Sequence, residues 1–172
     1  MRDYLLKALP EIEEIKDETV RNAVIDIWCE AMQQGKWEDL KVIPFTLLIP
    51  DLDTSIVEHT RRVTRMAMAV GSVRGDVNMD TLIAGALLHD VGKLLEYEKR
   101  GGKVVKSDLG RRIRHPVYGA AMALAKGLPD VAHIIIAHSK EGEYVHRTPE
   151  AVIVYHCDFI DFEVEKSKRG MK

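Results

Sequence analysis

The run "GALLHDVGK", residues 85–93, sets His89 beside Asp90 at the end of an apolar helical pattern. A buried carboxylate is costly unless hydrogen-bonded or neutralised, so Asp90 either turns to solvent or faces something positive. Three more polar residues, His59, His138 and Asp158, each interrupt an apolar stripe, and His115 immediately precedes a further helix. Taken singly, such a residue is ordinarily a hydrogen-bonded core group. Together they are four histidines and two aspartates from separate helices, at positions where leucine or valine is expected. Imidazole and carboxylate are the donors that a divalent cation of borderline hardness accepts, and helical bundles build such sites from facing helices. His59, His89, Asp90, His115, His138 and Asp158 are therefore read as metal ligands, Asp90 as a bridging one. The negative end of its helix favours a cation there. Asp161 competes with Asp158, since both have apolar neighbours at helical spacing. His133, His146 and His156 fit the stripes less well and read as surface or supporting residues.

The elements that must position these groups are helical nearly throughout. An N-terminal piece spans residues 3–16, followed by a helix from Glu18 to Gln34 with Asp17 as N-cap and Gly35 as stop. Residues 36–53 form a connector with an extended "VIPFTLLI". A helix over Thr54–Val70 aligns Ile56, His59, Val63, Met66 and Val70 on one face. The next, Met79–Asp90, ends at Gly92, whose freedom at positive φ suits a stop. A glycine-bearing loop covers residues 96–114, with a small β-hairpin or extended segment near 100–108. Pro116 opens a helix that turns Val117, Ala120, Ala121 and Leu124 inward. Pro129 opens one aligning Val131, Ile134, Ile135 and His138, and Thr148 caps the last, with Ala151, Val154, Tyr155, Asp158 and Phe162 on one face. The fold class is all-α: a helical bundle, with residues 1–50 an N-terminal extension packed on a main domain at 51–168.

Nearly half of the 172 residues are apolar and the formal net charge is −2, a globular composition that excludes a general attraction to nucleic acid. Two cysteines, Cys29 and Cys157, are too few for a disulfide framework. No stretch approaches the roughly 20 apolar residues of a membrane span. A cytoplasmic protein without membrane contact is expected.

The order His59, His89-Asp90, Asp158 resembles the HD superfamily of metal-dependent phosphohydrolases, in the subgroup where Gly and Lys follow the His-Asp pair, as in "HDVGK". "HTRRV" is similar to the start of its first motif helix and "HPVYGA" to the segment bringing a further histidine in two-metal members. "IIIAHSKEGEY" and "RTPEAVIVYHCDFID" resemble the HD domains of bacterial 3'-to-5' exoribonucleases and related hydrolases. The similarity spans residues 54–165. It implies one or two divalent metal ions (Mn, Fe, Ni, Co, Zn or Mg). His59, His89, Asp90 and Asp158 would hold the first; Asp90 would bridge to a second on His115 and His138. Two-metal relatives often have paired histidines where this chain has His138-Ser139. The exoribonucleases' nucleic-acid-binding module has no counterpart in residues 1–50.

A phosphohydrolase acting on a nucleotide, cyclic nucleotide or short oligonucleotide is thus expected, with a metal-activated water as nucleophile. Lys93 is expected to neutralise a phosphate oxygen, and Arg62, near His59 on its helix, to reach the same pocket. From Lys99 to Arg114 seven basic residues face one acid, so Arg111, Arg112 and Arg114 are expected at the rim, attracting a phosphorylated small molecule or short RNA. Two alternatives are a di-iron oxygenase, which uses a similar set of His and Asp ligands, and a non-catalytic nucleotide-binding regulatory domain, which would not need all six.

Overall fold

The computed structural model describes residues 1–171. Among these residues eight α-helices surround the buried centre: α1 (Arg2–Ala8), α2 (Glu18–Gly35), α3 (Ile56–Arg74), α4 (Met79–Leu88), α5 (Lys93–Glu96), α6 (His115–Ala125), α7 (Pro129–Ala137) and α8 (Pro149–Lys168). Strands β1 (Tyr97–Arg100) and β2 (Lys103–Lys106) form an antiparallel hairpin, turned by Gly101 and Gly102 at φ 58° and 78°. Positive φ at both turn positions is what a two-residue hairpin with the right twist requires. Pro10, which lacks an amide proton, separates α1 from a short 3₁₀ turn at Pro10–Glu14.

Local chemistry sets the helix starts. Asp17 accepts from the amides of Thr19 and Val20, Thr148 from Ala151, and Ser55 forms a full capping box with Glu58. The capping box starts α3 at Ile56, two residues later than the pattern suggests, and the helix continues to Arg74 before Gly75 ends it at φ 71°. Of the expected extended segment, one bridge remains, Pro44 opposite Ser55, which brings Phe45 beside α3.

The expected stop at Gly35 holds, and two other expectations are corrected. Gly35 closes α2, but the left-handed residue is Lys36, φ 58°; a Cβ at Gly35 would lie 2.1 Å from the carbonyl oxygen of Leu94. Gly92 is right-handed, φ −63° and ψ −14°, so positive φ is not its reason for being glycine. Its backbone passes so close to α6 that a Cβ would stand 2.1 Å from the carbonyl oxygen of His115. On α6 the inward face is Pro116, Gly119, Ala120 and Ala123, while Val117, Ala121 and Leu124 are exposed. Small residues win there because α6 packs tightly: a Cβ on Gly119 would already meet Ile135 and Val91.

One apolar cluster runs from Leu5, Ile12 and Trp28 through Ile56 and Leu87 to Ile135. A second joins Val63, Leu82, Ala86, Ile134 and Val154 between α3, α4, α7 and α8. Where α4 crosses α7, a Cβ on Gly85 would fall 2.6 Å from Ile134. This crossing holds the C-terminal ends of α4 and α7, and hence His89 and His138, near one another.

Candidate metal centre

The four histidines present their rings in one way. His59 Nδ1 lies 2.7 Å from Asp161 Oδ2, His89 Nδ1 2.7 Å from the carbonyl of Ala86, His115 Nδ1 2.7 Å from Glu96 Oε2, and His138 Nδ1 2.6 Å from the carbonyl of Ile135. Every partner is an acceptor, so in each ring Nδ1 carries the proton and donates. Each Nε2 is left to face inward. Fixing the outer nitrogen in this way selects the tautomer whose inner nitrogen can bind a cation.

The inner atoms gather in two groups. His59, His89 and Asp158 offer atoms within 4.8 Å of one another, as do Asp90, His115 and His138. Asp90 reaches both groups. Its Oδ2 lies 3.4 Å from Nε2 of His59 and 3.4 Å from Nε2 of His89, while Oδ1 lies 3.3 Å from His115 and 3.7 Å from His138. The donors are nitrogens and carboxylate oxygens, none is a thiolate, and one carboxylate spans two foci: the set fits two neighbouring divalent cations. The Nε2 atoms of His59 and His89 approach to 3.2 Å, a contact that needs a proton or a cation between them.

The electrostatics follow from burial and crowding. Burial disfavours a charged His59, yet bonds to Asp158, Asp161 and Asp90 overcome it and raise its pKa to about 10. Burial also opposes ionisation of Asp158, but the His59 bond and the surrounding imidazoles hold it at about 2. Asp90 is likewise driven well below the carboxylate range: burial pushes it up, and the Lys93 ammonium and His89 pull it down further. His115 behaves oppositely; burial lowers it to about 4 despite Glu96, so the ring is neutral at pH 7 and ready to coordinate. Without a cation, the charge between the carboxylates is thus supplied by a proton on His59 and by Lys93.

A pH dependence follows. A cation reaching His59 Nε2 displaces a proton at any pH below about 10, so metal affinity rises with pH through the neutral range. Titration calorimetry with Mn²⁺ in buffers of different ionisation enthalpy should show proton release near pH 7. For stability the sign is reversed: the raised pKa of metal-free His59 contributes fully below about 6.5 and fades as pH rises toward about 10.

The remaining expected residues are placed as follows. Lys93 is buried, with Nζ 2.6 Å from Asp90 Oδ2 and 2.5 Å from the carbonyl of Phe45; it reaches the site but already neutralises Asp90. Arg62 does not line the cavity over the site; it pairs with Asp161 (2.6 Å) and Glu165 (3.4 Å). A cavity of about 480 Å³ opens over the two groups, and Lys93, Asp90, His115, His138 and Asp158 contribute to it. Of the basic loop, Arg114 and Lys106 line this cavity; Arg111 and Arg112 are exposed and do not.

Among the other contributors, Asp161 is legible as the competitor of Asp158, while Glu96 and Phe45 carry no clear sequence signal of their own. Asp161 anchors His59, and Glu96 receives the backbone N–H and Nδ1–H of His115 as well as Lys106 at 3.0 Å. Phe45 stacks on the His59 ring, centroids 4.1 Å apart. Tyr97, Phe159, Phe162 and Lys140 complete the walls. Among the other histidines, His133 accepts from the amide of Thr148, and His146 and His156 are exposed.

The family model described as "HD domain" matches residues 56–163. A Dihydroneopterin 2',3'-cyclic phosphate phosphodiesterase of Methanocaldococcus jannaschii is 28% identical over 88% of this chain and 66% of its own length. A Ribonuclease Y of Thermosipho melanesiensis is 33% identical over 60% of this chain but 18% of its own length. The 3'-5' exoribonuclease YhaM of Listeria welshimeri is 28% identical over 66% of the chain and 40% of its own. The chain thus spans less than two thirds of each. No solved structure matches it significantly.

Proposed function

Because the chain belongs to the HD domain family, we propose that it is a metal-dependent phosphodiesterase acting on a nucleotide-sized ester, a 2',3'-cyclic phosphate above all. The observation that carries this reading is Asp90: one carboxylate shared by two donor groups at the floor of a cavity lined with both aromatic and cationic side chains. The six ligands would be His59, His89 and Asp158 on one side, His115 and His138 on the other, with Asp90 between. Cations bound there would supply a water acidic enough to attack phosphorus near neutral pH and would offset charge on the phosphoryl oxygens.

The chain's own residues do the rest. Lys93, held against Phe45, keeps the Asp90 carboxylate ionised and aimed at both groups. Asp161 and Glu96 keep His59 and His115 from rotating. Lys106, Arg114 and Lys140 stand in the cavity wall where a diester's negative charge would enter. Arg114 also meets Glu141 at 2.9 Å, which fixes its position. Phe45, Tyr97, Phe159 and Phe162 supply apolar surface for a flat heterocycle. About 480 Å³ suits a ligand of mononucleotide size. Phosphodiesterase and ribonuclease names among the relatives agree on cleavage of a diester, and the first of them names a cyclic phosphate.

With Mn²⁺ present, 2',3'-cyclic mononucleotides should be opened to monophosphates, and chelation should stop the reaction. Lys106→Ala with Lys140→Ala should raise KM roughly tenfold or more while kcat changes little, since the lost contact is made equally in ground and transition states. Absence of turnover on every diester by metal-loaded protein would remove the proposal. Oxygen-dependent turnover by an iron-loaded form, with no phosphoryl product, would replace it by an oxygenase.

A further inference from the structure

A second concavity, about 540 Å³, shares no lining residue with the first and is lined by Lys7, Lys41, Arg61, Arg62 and Arg65 together with Ala8, Ser55, Val57 and Glu58. The five cations come from three distant parts of the sequence: α1, the 3₁₀ turn Leu40–Val42, and α3. Two of them are committed. Arg61 meets Glu11 at 3.0 Å, and Arg62 meets Asp161 and Glu165. Lys7, Lys41 and Arg65 have no carboxylate within ion-pair distance among the described residues, and Arg65 and both lysines are exposed. Glu58, the one acid in the lining, has Oε2 engaged by the amide and hydroxyl of Ser55 in the capping box and remains a single negative charge among five cations.

The groove also holds the N-terminal turn of α3, a 19-residue helix, whose positive end adds to the field. The three cations without a carboxylate partner leave a positive field in the concavity that an anion would offset. Among the described residues the lining has no aromatic side chain, so nothing there would stack on a base. What it offers is guanidinium forks and ammonium points spaced over several ångströms, suited to a run of phosphate groups.

We propose that this groove is a binding site for a short phosphate chain, of two or three linked phosphates, separate from the catalytic cavity. It recognises the phosphates and not the group they are attached to. The site is connected to the metal centre through one side chain: Arg62 lines the groove and simultaneously holds Asp161, and Asp161 holds Nδ1 of His59. A phosphate that draws on Arg62 shares it with Asp161, so occupancy of the groove is felt at the His59 ring.

Calorimetry on the metal-free protein with inorganic tripolyphosphate tests this without reference to catalysis. One molecule should bind per chain, and Lys41→Ala with Arg65→Ala should weaken binding at least tenfold while leaving diester turnover unchanged. Lys106→Ala with Lys140→Ala, in the catalytic cavity, should leave the affinity unaltered. A nucleoside triphosphate bound as tightly and with the same Lys41 and Arg65 dependence would identify a nucleotide tail as one source; binding of tripolyphosphate alone would identify the free inorganic chain. Nitrogen-edited NMR of the His59 ring should show its Nδ1 resonance move on tripolyphosphate addition, and Arg62→Lys should diminish that movement.

Three results would overturn the site: no binding at millimolar tripolyphosphate, binding abolished by the Lys106 and Lys140 changes instead, or a short single-stranded oligonucleotide binding more tightly than tripolyphosphate. A still His59 resonance at saturating ligand would overturn the connection to the metal centre.

Discussion

Asp90→Asn should strip metal from both donor groups together and lower diester turnover on the order of 10³-fold or more, the scale expected when the cation's several kcal/mol of transition-state stabilisation is lost. The reason is the division of labour within one carboxylate: Oδ2 faces His59 and His89, Oδ1 faces His115 and His138. An amide keeps the shape but offers one oxygen and turns a donor NH₂ toward the other group. The same change leaves the buried Lys93 ammonium without its counter-charge, so the metal-free variant should also lose about 3–5 kcal/mol of stability. Metal analysis after gel filtration is the direct measurement, with denaturant unfolding beside it. His138→Ala, which touches only the second group, is the contrast: the metal held by His59, His89 and Asp158 should remain. Full metal content in Asp90→Asn would mean that Asp90 is not the shared ligand.

Gly92→Ala is expected to be damaging for a different reason. The backbone there is ordinary right-handed helix, which alanine adopts readily, so the usual small gain from replacing glycine would apply if space allowed. It does not: the new methyl would stand 2.1 Å from the carbonyl oxygen of His115, 2.8 Å from its carbonyl carbon and 3.0 Å from the amide of Gly119. All three are backbone atoms, with no side chain free to step aside. Separating α5 from α6 to make room should cost about 3 kcal/mol, seen as a fall in Tm of roughly 6–12 °C for a chain of this size. Because His115 begins α6, the second metal should be weakened along with the fold. Gly101→Ala is the comparison, since nothing lies within 4 Å of its Cβ and only its positive φ resists. A Tm for Gly92→Ala equal to wild type would contradict the close approach.

The convergence of His59, His89, Asp90, His115, His138 and Asp158 was legible because a polar donor on an apolar stripe must find a partner inside, and helical spacing sends all six to one interior. The pattern stopped short of separating Asp158 from Asp161. The two are three residues apart on α8 and both lie toward His59; Asp158 meets Nε2 and Asp161 meets Nδ1. A one-dimensional pattern records a face, not which nitrogen of a ring on another helix is reached. Of the inner face of α6 the pattern recovered Ala120 but not Gly119 or Ala123, because apolar periodicity presumes ordinary helix spacing. Where helices approach closely, Gly119 and Ala123 fill the contact, and Val117 and Leu124 are left outside. Net charge in residues 99–114 pointed to a basic rim, but a charge count carries no direction: Lys106 and Arg114 line the cavity, Arg111 and Arg112 do not.

Glu96 ends α5, and the hairpin begins at the next residue. Its carboxylate grips the first residue of α6 and a lysine of the second strand at the same time. Entrance and floor are therefore one mechanical part, hinged on a single acid. Substitution of Glu96 should therefore disturb the hairpin and the His115 ring together.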